Sequence, residues 1–202
     1  MHPLNTVKGA IISAFVLAIV VGVSLSAWSG ASIGLHVPQV DRWLHTVSGV
    51  MWIGLLYYFN VVQTPALAIA GADKGGPGGA GISKYIAPRA LLWFRWAAVA
   101  TWVTGAGYLS IGYGDAGGLL KALMLEPAYR VIGVGAWLGT IMLFNVWVFI
   151  WPNQKKILGI VAATDEQKAA ARKIAARASR INFILSIPML MCMGGQSHGL
   201  PF

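Results

Sequence analysis

The chain has 202 residues, of which 57% are hydrophobic and only 10% charged, where a soluble domain carries about a quarter charged residues. Five long apolar runs replace the missing charge. None shows the period-two alternation of strands, so the composition excludes a soluble domain and a membrane barrel alike. A net charge of +9 suggests nucleic acid, but the placement of the charge argues for a lipid bilayer instead and against nucleic acid.

The predicted class is an all-α integral membrane protein, a single membrane domain over residues 1–202. Its five transmembrane helices are expected at about 10–28, 41–64, 88–110, 129–151 and 165–197. Each apolar run is close to the ~20 residues that cross ~30 Å of hydrocarbon. The first is too long in its apolar core for a cleaved signal peptide, and Leu25-Ser26-Ala27 makes a poor cleavage site. With the N-terminus inside and the helices alternating, eleven Lys and Arg residues fall inside and three outside (Arg42, Lys121, Arg130), while Arg95 lies within a span. That is the positive-inside pattern, and it puts the C-terminus outside. The expected location is a bacterial inner membrane.

Between the first two helices, an outer loop carries His36. The second helix opens with His45, has Gly49 and Trp52 on the same face, and closes with Asn60 and Gln63 before Thr64-Pro65. The glycine-rich stretch that follows contains Gly76-Pro77-Gly78-Gly79-Ala80-Gly81. It spells a dinucleotide-binding pattern but follows no strand, so a flexible linker is the reading. The third helix begins after Pro88-Arg89 and holds Arg95, the one charge within a span. Its outer loop contains Asp115, Lys121 and Glu126. The fourth carries Gly135-x-x-x-Gly139, a spacing for close helix packing, then Asn145, and is expected to stop at Trp151-Pro152.

Thr164-Asp165-Glu166-Gln167 reads as a capping box. It starts a basic amphipathic helix that surfaces at lipid headgroups and runs on into the fifth span as one rod, kinked at Pro188. The rod ends at Gly194-Gly195-Gln196-Ser197-His198. There is one cysteine, Cys192, and no Cys-x-x-Cys-His for covalent haem.

Counting helices gathers His36, His45 and His198 at the outer side. His45 has Gly49 one turn deeper and His198 has Gly194 one turn deeper, so two helices present a histidine with a small residue on its face. That pattern suits a b-type haem clamped between His45 and His198, neutral imidazole being a common axial ligand. His36 is a weaker third ligand. A zinc or copper site is the alternative, though no tight spacing favours it. Towards the inside, Asn60, Gln63, Asn145, Asn182 and Ser186 form a second polar layer. Arg95 is expected to snorkel and bond to these amides, or to meet an anionic group such as a haem propionate or a quinone.

The block His45-x3-Gly49-x2-Trp52-Ile53-Gly54-x2-Tyr57-x-Phe59-Asn60-x2-Gln63-x-Pro65 resembles the membrane part of the bacterial urate oxidase N-terminal family. Phe94-Arg95-Trp96-x4-Thr101-x3-Gly105, Trp151-Pro152-Asn153-Gln154, Arg180-Ile181-Asn182 and Ser186-x-Pro188 resemble it too. The best-known members are membrane urate hydroxylases with an attached cytochrome c. The resemblance implies a membrane redox or electron-transfer subunit. Because this sequence shows no cytochrome c motif, it also implies a separate electron-accepting partner, a cytochrome or other membrane subunits. The alternative is a non-catalytic structural or assembly subunit of a larger membrane complex. A transporter is disfavoured by the absence of an inverted repeat.

Overall fold

The computed structural model describes residues 2–113 and 117–202. Asp115, in the expected outer loop, lies outside the described residues. Among those residues there is no strand. The helices are α1 (Val7–Trp28), α2 (Val37–Ala72), α3 (Ala87–Ile111), the short α4 (Gly118–Leu123), α5 (Pro127–Ile157) and α6 (Asp165–His198). By length and composition, α1, α2, α5 and α6 are each able to cross a membrane. α3 is not among them, although it has 25 residues. Arg95 and its glycines, threonines and tryptophans dilute its apolar content.

The chain divides into two compact units, one ending at His36 and the other running Val37–Phe202. The first is essentially α1. Thr6 caps it, its hydroxyl accepting from the Gly9 amide at 3.0 Å. No residue of α1 is buried although nearly every side chain is apolar, the pattern of a helix that faces lipid.

The second unit holds the core. Trp52, Leu56, Phe94, Ala98, Met142 and Val146 are almost fully enclosed and pack in one cluster drawn from α2, α3 and α5, joined by Ala178 and Met189 of α6. Small residues set the approach distances. A Cβ added to Gly135 would lie 3.1 Å from Cys192 Cβ and 3.3 Å from Met193 Cε, so the first glycine of the expected small-residue spacing is where α5 meets α6. Near the outer end, Leu109, Ala122 and Tyr129 form a satellite cluster.

α6 is the single rod expected. Thr164 Oγ accepts from the Gln167 amide at 3.3 Å and Gln167 Oε1 accepts from the Thr164 amide at 3.0 Å, a complete capping box. Hydrogen bonds from the Glu166 backbone and the Thr164 side chain hold the Glu166 carboxyl below its ordinary range. The helix is continuous through Pro188 for all 34 residues.

Two expected helix ends are corrected. α2 continues past Pro65 to Ala72, and α5 continues past Pro152 to Ile157. Both prolines, and Pro88 at the start of α3, are the second residue after a π-helical turn: Tyr58–Gln63, Ile82–Ile86 and Asn145–Ile150. In each case the residue just before the proline donates five residues back, Thr64 to Phe59, Ala87 to Ile82 and Trp151 to Val146. A proline ring in an α-helix collides with the carbonyl four residues earlier and lacks the amide to bond it. A turn widened by one residue moves that carbonyl aside, so the helix passes through.

Candidate functional site

α2 and α3 run antiparallel, and toward the start of α2 the His45 ring lies against α3. His45 Nδ1 is 2.7 Å from the Thr101 carbonyl oxygen. A carbonyl only accepts, so Nδ1 carries the proton and Nε2 keeps its lone pair. Gly105 makes the approach possible: a Cβ there would lie 2.7 Å from Nδ1 and 2.8 Å from Cε1. Thr101 and Gly105 stand in the block Phe94-Arg95-Trp96-x4-Thr101-x3-Gly105 that carries the resemblance, but the residue types gave no hint of a contact with His45, because one contributes a backbone oxygen and the other an absence.

The other predicted residues of this end have different surroundings. A Cβ on Gly49 would meet Thr101 Cγ2 at 3.7 Å, so this glycine faces α3, and any flat group on His45 has to approach from another side. Trp52 is buried in the core, and its indole Nε1 has no hydrogen-bond partner. His198 is exposed at the last turn of α6, and the space beside Gly194 is open, with nothing within 4 Å of an added Cβ. His36 belongs to the other unit. No group of three or more His, Cys, Asp or Glu gathers as a metal set among the described residues.

His45 and His198 lie toward the same end of the α2–α6 pair. α2 and α6 are antiparallel, with Asn60 bonded to Ser179 and Tyr57 meeting Ser186 at 3.2 Å. From the Tyr57–Ser186 contact each histidine lies twelve residues further out, about 18 Å along its own helix. The end of α6 is fixed by Gln196, unmarked in the sequence. Its Oε1 accepts from the Ile132 amide at 2.9 Å and its Nε2 donates to the Ala128 carbonyl at 3.0 Å. It thereby satisfies a first-turn donor of α5 that helix geometry leaves free.

The expected amide layer forms a hydrogen-bonded network between helices. Asn145 Nδ2 donates to Asn182 Oδ1 at 2.8 Å, and Asn182 Nδ2 donates to the Met142 carbonyl at 2.9 Å. Asn60 Nδ2 lies 2.9 Å from both the Leu56 carbonyl and Ser179 Oγ. Ser186 donates to the Phe183 carbonyl at 2.7 Å. Asn60 and Asn145 sit in the π-helical turns. Gln63 Oε1 is buried without a partner. None of these amides bonds to Arg95, which corrects that expectation. The Arg95 guanidinium instead stacks over the Trp151 ring, 3.7 Å from its centroid.

No curated protein and no solved structure matches the chain. The stretch that carries His198, the Asn145–Asn182 pair and Trp151 does find a match. Residues 120–202 match the family model described as Urate oxidase N-terminal, and the resemblance holds over that part of the chain.

Proposed function

We propose that this chain is a membrane redox subunit related to membrane urate hydroxylases, binding a b-type haem near the outer face and passing electrons to a separate cytochrome or membrane subunit. It threads a bacterial inner membrane five times with the N-terminus inside. The observation that carries the reading is the 2.7 Å bond from His45 Nδ1 to Thr101 O. A ligating imidazole needs its second nitrogen held in this way, which fixes the tautomer, orients the ring and raises the basicity of Nε2.

A bound haem supplies one-electron transfer. The chain's own part is to present Nε2 of His45, to hold that ring through Thr101 and Gly105, and to offer His198 from the same end of α6. Lipid and apolar side chains keep water from the deeper side.

The reading is tested by reduced-minus-oxidised visible spectra of protein purified from membranes in mild detergent. Haem bands in the native protein that are lost in His45→Ala, with the helical circular dichroism unchanged, are the expected result. A folded, colourless native protein overturns it. The second reading, a structural or assembly subunit, then stands, and it draws on the same contact that closes the Gly49 face: Thr101 Cγ2 packed where a cofactor edge would lie.

A further inference from the structure

We infer that Arg95, Lys155 and Trp151 form a binding site for the phosphate of an anionic glycerophospholipid. Arg95 of α3 and Lys155 of α5 converge on one indole: the Arg95 guanidinium is 3.7 Å and Lys155 Nζ 5.9 Å from the Trp151 ring centroid. Two cations share this ring, and neither has a carboxylate. The ion pair found among the described residues, Lys168–Asp165, is elsewhere on α6. Stacking satisfies the flat face of a guanidinium and leaves its five N–H donors to be met in its own plane. Arg95 makes no hydrogen bond to the neighbouring amides; its contact is the Trp151 ring. The acceptors therefore come from outside the chain, and they are anionic.

Depth selects a lipid. Lys155 is in the last turn of α5, while Arg95 lies eight residues into α3, about 12 Å from its start. A glycerophospholipid offers oxygens over that range, phosphate at the headgroup and ester carbonyls below it. Beyond Arg95 on the same stripe of α3, Trp102 and Val103 are exposed and apolar, a surface along which an acyl chain can lie and a free phosphate gains nothing. Arg95 is also about 9 Å along α3 from Thr101, so this site and the His45 turn are separate and fail separately.

The test is native mass spectrometry of the full chain, released from nanodiscs of phosphatidylglycerol with phosphatidylcholine or of phosphatidylcholine alone. Retention of a phosphatidylglycerol molecule is expected, falling about tenfold in Arg95→Gln and in Lys155→Gln. Arg95→Lys should recover part of it, and Lys173→Gln should leave it unchanged. The comparison of lipids on native protein needs no variant. Equal retention of phosphatidylcholine overturns the proposal. So does retention untouched by either substitution, or displacement of the lipid by inorganic phosphate alone, which identifies a soluble anion as the ligand.

Discussion

At the amide layer, Asn60, Asn145 and Asn182 each donate to an acceptor within the chain. At the outer end, His45 spends one ring nitrogen on Thr101 and holds the other in reserve. Both are polar interruptions of apolar helices, and both cost stability unless partnered. A layer that satisfies itself acts as a bolt between helices. A side chain held by one atom, with a second atom unspent, is equipped for a ligand. On the proposed reading, chemistry belongs to the His45 turn and register to the amide layer.

Substitutions sharpen that contrast. The largest effect beyond removing His45 itself belongs to Gly105→Ala, whose new methyl would occupy the space of the His45 ring. On the haem reading, loss of the Thr101 bond should weaken haem retention by about 10–100-fold, measured as haem per protein after dialysis, while the overpacking costs about 1–3 kcal/mol. Asn182→Ala should act on the fold alone. It strands the Asn145 amide in the core, should destabilise the fold by about 2 kcal/mol in thermal denaturation, and should leave any haem spectrum in place. Gly135→Ala presses a methyl against Cys192 and should cost about 1 kcal/mol. If it also bleaches the protein, the position of α6, and with it His198, matters to the cofactor.

The smallest effect is at Glu166. Its carboxyl is held below the ordinary range by hydrogen bonds at the start of α6. The carboxylate therefore supports this turn above the unfolded carboxylate range, and the support fades as pH falls through the depressed value. Amide protection over residues 165–168, referenced to intrinsic exchange rates, should fall at acid pH in the native chain, and that fall should be absent in Glu166→Gln.

Much of this architecture was readable from residues. Hydropathy located the long helices, and the capping box at Thr164 and the close approach at Gly135 stand where pattern placed them. The amide layer was legible as a level and illegible as a network, because spacing gives depth along a helix while partners depend on how helices turn toward each other. Arg95 shows the same limit: its need for company was plain, and the choice of Trp151 over the amides was a matter of orientation. Thr101 and Gly105 stood in a recognisable block, but they act through backbone and through missing atoms, so their residue types did not foretell the contact with His45.

The π-helical turns before Pro65, Pro88 and Pro152 change what a proline means in this chain. One extra residue in a turn rotates everything downstream by about 100° relative to an uninterrupted α-helix. The rings at these positions therefore set the azimuth of the segments that follow. Among them are the Trp151 indole and the Lys155 ammonium, whose bearing around α5 is dialled in by the wide turn at Asn145–Ile150.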